Sequence, residues 1–311
     1  MALSPDGAHV AAATPDGALC LTAVATRERR CLPTLPRAAV AVAFSADGAL
    51  LAATTGDRVV HVWATDDLAP RHALALGWGE AKSLRFAPAG RRLLADAERA
   101  TWVWDLDRPA PAFGRVTLQG TTSKVTTSAF SPDGALVVTG YADGTARTWD
   151  AASGAQRETL RGHTGEVTQA AFSVGDPLRV VTASRDGTAR VWSARDGSSL
   201  AVLQSGAAPR TSPTRAPVRL PPAEAAVDSP RFSPDGKRVL TTSRRGAATL
   251  WSATDGRALV SFGEAGSRVV DAWFAPGGDN LRLFVNAGDA ASVWSTNDAA
   301  LVQTRWGATA R

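Results

Sequence analysis

Histidine, cysteine, serine and aspartate are the side chains here that could do chemistry, and their spacing argues against it. The four histidines, His9, His61, His72 and His163, are scattered, and none stands at a metal-ligand spacing from a cysteine, a glutamate or another histidine. No metal is expected. Serine and aspartate recur together, as in Ser4-Pro5-Asp6-Gly7 and Ser131-Pro132-Asp133-Gly134. A serine nucleophile needs a base within hydrogen-bond reach. Proline presets φ and glycine accepts positive φ, so this tetrapeptide is a tight strand reversal instead. Glycine falls singly at turns, and no loop cradles a phosphate. No catalytic residue and no cofactor is expected. An enzyme with a site at a channel mouth, assembled from distant loops, is the alternative the sequence leaves open.

The elements that carry these residues are set by a repeat. A phenylalanine is followed about nineteen residues later by a tryptophan in Phe44/Trp63, Phe86/Trp104, Phe130/Trp149, Phe172/Trp192, Phe232/Trp251 and Phe274/Trp294. Successive phenylalanines are 42, 44, 42, 60 and 42 residues apart. A degenerate seventh copy starts at Leu3, with Thr22 in the tryptophan slot. A constant period near 42 means one supersecondary unit stacked seven times. In the clearest copy, short apolar runs at Val125–Phe130, Ala135–Thr139, Thr145–Trp149 and Gln156–Leu160 are separated by turn residues. That pattern predicts a four-stranded antiparallel meander. One meander is too small to be stable alone, whereas seven arranged radially bury both faces of each sheet. Seven units account for nearly all 311 residues, so a single domain over 1–311 is expected. The first unit is short of a first strand, with only Ala2 and Leu3 before its turn.

The residues resemble the WD-repeat family of β-propellers, over essentially the whole chain. The Trp-Asp dipeptide stands at Trp104-Asp105 and Trp149-Asp150, a Gly-His pair at Gly162-His163, and an Asp-Gly turn at Asp186-Gly187. The resemblance implies an all-β, seven-bladed propeller of four-stranded antiparallel blades, and the short start before the first turn makes an incomplete first blade the expectation. It also implies a buried hydrogen-bond chain in the fifth copy, formed by His163, Thr182 (or Ser184), Asp186 and Trp192. The other copies lack the histidine and should rest more on packing.

Composition bounds the setting. The net charge is +5, the sequence pI about 10.0, and only three of the 34 basic residues are lysine. The arginine bias is read as the mark of a GC-rich bacterial genome. No run approaches a membrane-spanning length, and Met1 falls inside a repeat, so a cytoplasmic protein without a signal peptide is expected. Cys20 and Cys31 lie in the third and fourth strands of the first unit and would face each other in one hairpin register. Two cysteines make no disulfide framework, and the expectation is two small, reduced, semi-buried residues.

Recognition is where the sequence points. In WD-repeat propellers the second-to-third strand turns and the fourth-to-first connections face the side where partners usually dock. Here those segments carry Arg58, Arg99, Tyr141, Arg185, Arg244 and Arg245, with Trp78 in a fourth-to-first connection. A rim of one charge sign concentrates oppositely charged partners, so an acidic peptide or protein is the expected partner. Nucleic acid is not expected, because it would want aromatic platforms interleaved with the charge, and Tyr141 alone qualifies. Trp102 and Trp273 fall in strands and are expected in the core. The Pro- and Arg-rich stretch 206–224 builds no core and should be an extended or disordered insertion on the same side. The expected function is a non-catalytic scaffold for protein–protein contacts. The alternative is the C-terminal sensor half of a larger bacterial signalling protein of kinase or nucleotide-switch type. The oligomeric state is not legible.

Overall fold

The computed structural model describes residues 1–14, 17–32, 35, 39–77, 79–108, 114–120, 122–204, 227–243, 248–262, 269, 271–275, 282–286, 291–296 and 301–306. These form strands and turns, with no helix among the described residues. The first sheet is β1 (Ala2–Leu3), β2 (His9–Ala13), β3 (Leu19–Ala23) and β4 (Arg29–Cys31). The second is β5 (Ala39–Phe44), β6 (Leu50–Thr55), β7 (Val59–Ala64) and β8 (Pro70–Ala75), and the third β9 (Ser83–Phe86), β10 (Arg92–Asp96), β11 (Thr101–Asp105) and β12 (Val116–Leu118). The fourth is β13 (Val125–Phe130), β14 (Leu136–Tyr141), β15 (Ala146–Asp150) and β16 (Gln156–Leu160). The fifth is β17 (Val167–Phe172), β18 (Arg179–Ser184), β19 (Thr188–Ser193) and β20 (Ser199–Gln204). The sixth is β21 (Val227–Phe232), β22 (Arg238–Ser243), β23 (Ala248–Ser252) and β24 (Ala258–Phe262). The seventh is β25 (Asp271–Phe274), β26 (Arg282–Asn286), β27 (Ala291–Ser295) and β28 (Leu301–Trp306). In every sheet the strands neighbour one another in sequence order.

The chain divides into two compact units, one of Met1–Val125, Phe130–Val137 and Trp149–Arg157, the other of Thr126–Ala129, Val138–Thr148 and Glu158–Arg311. The first three sheets belong to the first unit and the last three to the second.

The register explains the sequence spacing. Phe172 pairs with Val180, and Val180 with Trp192, so the three side chains stand in one row across the fifth sheet. The same pairing register recurs as Phe44–Leu51–Trp63, Phe86–Leu93–Trp104, Phe232–Val239–Trp251 and Phe274–Leu283–Trp294. In the first sheet the row is Leu3–Val10–Thr22, so its degenerate copy keeps the geometry after losing the aromatics. The central aliphatics Leu51, Leu93, Val180 and Val239 are fully buried. Second strands are covered on both faces, as β6 and β18 show, whereas the outer strand β20 alternates exposed and buried residues.

Adjacent sheets share their cores. Within the first unit, Ala52, Val60 and Val62 pack with Leu84, Leu93 and Trp104. Within the second, Val181 and Val191 pack with Val227, Val239 and Trp251. Trp102 is fully buried, as expected, but Trp273 is not a core residue: 38% of it is exposed, and it stacks on Phe284 at 5.8 Å. Trp273 sits on a first strand, where only one face is covered.

The first sheet has four strands, its first strand abbreviated to Ala2–Leu3. The β3–β4 register sets Cys20 opposite Cys31, and the two form a disulfide. This corrects the expectation of two reduced residues, because the hairpin brings their Cα atoms to 4.0 Å. The bond joins a buried residue on β3 to an exposed one on a three-residue outer strand.

The serine–aspartate tetrapeptides are turns whose polar groups are spent locally. Ser131 Oγ donates to Asp133 Oδ1 at 2.6 Å and accepts from Leu136 N at 2.8 Å, while Asp133 Oδ1 also accepts from Ala135 N at 3.0 Å. Ser4/Asp6, Ser45/Asp47 and Ser233/Asp235 repeat the arrangement.

Candidate interaction surface

Turns between second and third strands are the candidate surface, and the β18–β19 turn is the best built. It carries Arg185, Asp186 and Gly187, and a buried network fixes it to the connection between β16 and β17. Trp192 Nε1 donates to Thr182 Oγ1 at 2.8 Å. His163 Nε2 lies 2.8 Å from the same oxygen, and His163 Nδ1 lies 2.8 Å from Asp186 Oδ2.

Chemistry gives the network a direction. Burial would raise the Asp186 carboxyl, but hydrogen bonds from Thr188 Oγ1, Thr188 N, His163 and Thr164 N hold it down at about 2. The ionised carboxylate only accepts, so His163 Nδ1 carries a proton and donates to it. Burial pushes the His163 pKa down against the pull of Asp186, and the ring is neutral. Nε2 is therefore a bare acceptor, and it takes the Thr182 O–H. The chain runs from the Trp192 N–H to the Thr182 hydroxyl to His163, and from the far side of His163 to Asp186. Asp186 Oδ1 accepts from Thr188 N at 2.9 Å and Thr188 Oγ1 at 2.7 Å, and Oδ2 also accepts from Thr164 N at 3.0 Å. Sequence reasoning found four members and missed Thr164 and Thr188, the residues that complete the carboxylate. Of the two hydroxyls weighed, Thr182 is the member, and Ser184 instead donates to Gly165 O at 2.8 Å.

Glycine is required on both sides of the histidine for local reasons. Gly162 has φ +152°, a backbone state that favours glycine, and faces the Arg190 guanidinium that lies over Trp192. At Gly165 a Cβ would come within 2.8 Å of the Asp186 backbone nitrogen.

Other sheets carry only parts of such a network or different polar pairs. In the sixth, Trp251 Nε1 donates to Thr241 Oγ1 at 2.7 Å. In the fourth, Thr139 Oγ1 bonds the Tyr141 hydroxyl at 3.0 Å. In the third, buried Asp96 accepts from Ser83 and Thr101, each at 2.7 Å. In the second, Asp57 accepts from Thr55 and Val59 N and lies 3.1 Å from His61 Nε2, and His61 stacks on Trp63. A threonine ten residues before the tryptophan, at Thr139, Thr182 and Thr241, was a legible signal for three of these.

The expected contact residues fare differently. Arg58 and Arg99 are exposed, and neither makes a side-chain hydrogen bond or ion pair among the described residues. Arg58 sits at φ +64°, in the left-handed region of its turn. Arg185 is exposed, but its Nε lies 2.7 Å from Glu166 Oε2, so its charge is partly met already. Tyr141 is not a surface contact: its ring is buried under the Arg147 guanidinium, and its hydroxyl is bonded to Thr139. Trp78, Arg244, Arg245 and the stretch 206–224 lie outside the described residues. No cluster of three or more histidine, cysteine, aspartate or glutamate side chains suited to a metal occurs among the described residues.

Comparison with known proteins agrees with this architecture. The family described as WD domain, G-beta repeat, matches residues 29–64, 115–150 and 154–193. The chain is similar to human angio-associated migratory cell protein, 31% identical over 132 residues that cover 41% of this chain and 29% of that protein. It is also similar to pre-mRNA-processing factor 19 homolog 2 of Arabidopsis thaliana, 26% identical over 135 residues, 42% of this chain and 26% of that one. The match thus spans less than a third of either relative's length. Among solved structures, the C-terminal WD40 domain of Sif2 superposes with a TM-score of 0.66 at 19% identity, over 94% of this chain and 79% of that one. The computationally designed Ika8 protein gives 0.68 at 22% identity, over 97% and 81%. The fold is that of a β-propeller built from four-stranded antiparallel blades.

Proposed function

We propose that this chain, a member of the WD-repeat family, is a non-catalytic platform for protein–protein contacts that presents arginines on its second-to-third strand turns. WD-repeat domains generally act as protein-interaction scaffolds, and fold alone names no partner. The observation that carries the reading is the β18–β19 turn, where a fully satisfied buried network holds an exposed arginine in place. Ordering a contact residue before its partner arrives lowers the entropic cost of binding. Arg58 and Arg99 add exposed guanidinium groups whose donors are unspent. Such groups set encounter rate and specificity for a carboxylate-bearing partner more than they set affinity. Asp57 lies beside Arg58 and Asp186 beside Arg185, so each of these turns is mixed in sign and suits a protein better than a uniform polyanion. The Cys20–Cys31 disulfide, which a reducing cytosol disfavours, weighs against the cytoplasmic expectation, and the oxidation state of the pair in cells tests that placement.

An affinity pull-down from the native host tests the reading. Wild type is compared with a chain carrying Arg58→Glu, Arg99→Glu and Arg185→Glu. Loss of a specific partner with an unchanged melting temperature supports the platform. An identical set of captured proteins sinks it.

A further inference from the structure

We propose that the groove beside the turns of the first and second sheets docks an acidic side chain of an extended partner peptide. This rests on the platform reading and gives it a second, chemically defined place. The groove has a volume of about 570 Å³ and is formed wholly within the first unit, by first-to-second strand turns, the β7–β8 turn and the outer strands β4 and β8.

Its charged groups divide into those already spent and those that are not. Arg30 donates to the carbonyl oxygens of Asp66 and Thr65. Arg91 holds Asp47 Oδ2 through Nε at 3.2 Å and Nη2 at 3.0 Å. Asp6 and Asp47 each accept from a serine hydroxyl and a backbone N–H of their own turns, which holds both carboxyls below the usual range and ionised. Arg71, exposed on β8, and the ring of His9, on β2, make no hydrogen bond or ion pair among the described residues. The Thr65 hydroxyl at the groove wall is buried without a partner. What Arg71 lacks is a hydrogen-bonded acceptor among the described residues.

The charge pattern selects the occupant. Three arginines, Arg30, Arg71 and Arg91, face three aspartates, Asp6, Asp47 and Asp66. A phosphate polymer would meet repulsion from the carboxylates along its whole length. One or two carboxylates spaced among neutral residues meet that repulsion at single points, where Arg71 offsets it, and a guanidinium binds a carboxylate bidentately. Leu50, Ala64 and Leu106 give the neutral residues an apolar floor. The groove is open, so a small dicarboxylate would stay largely in water, unlike a ligand in an enclosing pocket. A peptide takes the rest of its contact from the surrounding surface.

The test is fluorescence anisotropy on the full chain with a labelled short peptide carrying two glutamates in a glycine, serine and leucine background. The comparison probes are its glutamine counterpart, free succinate and a short single-stranded oligonucleotide. The glutamate peptide is expected to bind, and the others to bind about fivefold more weakly or worse. Arg71→Gln should weaken the peptide by a similar factor with an unchanged melt, because the side chain is exposed, while Arg58→Gln should not. Binding unaffected by Arg71→Gln, succinate or the oligonucleotide competing as well as the peptide, or no binding by any probe overturns the proposal. If Arg58→Gln weakens the peptide and Arg71→Gln does not, the groove is wrong and the turn surface stands. If Arg71→Gln alone weakens it while the triple charge reversal leaves the captured partners unchanged, the turn surface falls and the groove stands.

Discussion

The Thr182 hydroxyl lies 2.8 Å from His163 Nε2, and through that one contact a connection between two sheets is tied to the core of the next. Thr182 is fully buried on β18, and His163 belongs to the segment leading into β17. Because the hydroxyl donates to His163, its lone pairs are free for the Trp192 N–H, and every polar atom of the chain has a partner. A satisfied buried network rigidifies what it touches, whereas one missing member leaves several groups unpaired.

Removing the histidine therefore costs more than one hydrogen bond. His163→Ala leaves the Thr182 O–H without its acceptor and takes one donor from Asp186. A loss of about 1–3 kcal/mol is expected, the usual cost of orphaning buried polar partners. Urea unfolding of wild type and variant measures it, and a midpoint equal to wild type means the network contributes nothing.

Acid should weaken the same network. The folded-state pKa of His163 lies below 6.5, depressed mainly by burial. Below about pH 6.5 the unfolded chain takes up a proton that the folded chain refuses, so stability falls with pH until the lower folded value is reached. Asp186, held at about 2 against an ordinary 3.8, adds a separate loss only as pH falls through that lower window. His163→Gln removes the first effect. The stability gap between wild type and His163→Gln should narrow as pH falls from about 7.5 to about 5.5. His72, also depressed by burial, is common to both proteins and cancels. A gap independent of pH would mean that His163 is not held neutral.

Much of the fold was legible because one register repeats. The phenylalanine–tryptophan spacing is the distance along the chain between two residues of one row, and Phe172–Val180–Trp192 is that row made visible. In the fourth sheet the four expected runs match β13 to β16 to within two residues: β14 and β15 each start one residue later than expected and end two and one residues later. The side chains at the turns were less legible. Tyr141 lies where the sequence marks a turn, yet β14 continues through it and turns the ring inward onto Thr139. Cys20 and Cys31 needed the register of a hairpin whose outer strand has three residues, too short to show alternation. Arg185 looked like a free charge because Glu166 is nineteen residues away in sequence and adjacent only once the sheet forms.

The disulfide should matter to the first sheet more than its single bond suggests. With β1 two residues long and β4 three, few ladder hydrogen bonds hold the outer strands. Cross-linking residues 11 apart restricts the unfolded chain, an effect of roughly 2–4 kcal/mol for short loops. Reduction, or Cys31→Ser at the exposed end, is expected to speed hydrogen exchange in β3 and β4 first and to lower the melting temperature. Exchange in the first sheet unchanged by reductant would show that packing against the second sheet holds β4 without the bond.

Arginines at the start of second strands have a structural task that their abundance hides. Arg92 Nη1 donates to Gly134 O at 2.9 Å, and Arg179 Nη1 to Gly236 O at 3.2 Å. Each reaches from its own sheet to the first turn of the following one, clasping neighbouring repeats through a backbone acceptor. Arg179→Met keeps most of the aliphatic stem and removes the donors, leaving the Gly236 carbonyl without this partner. A destabilisation of about 1–2 kcal/mol is expected. Arg157→Met is the matched control, because Arg157 is 58% exposed and its pair with Asp150 is screened by water. That change should cost under about 1 kcal/mol. Equal unfolding midpoints for the two variants would show that the inter-sheet bond is worth no more than a surface ion pair, and that the sheets hold together through their shared apolar cores alone.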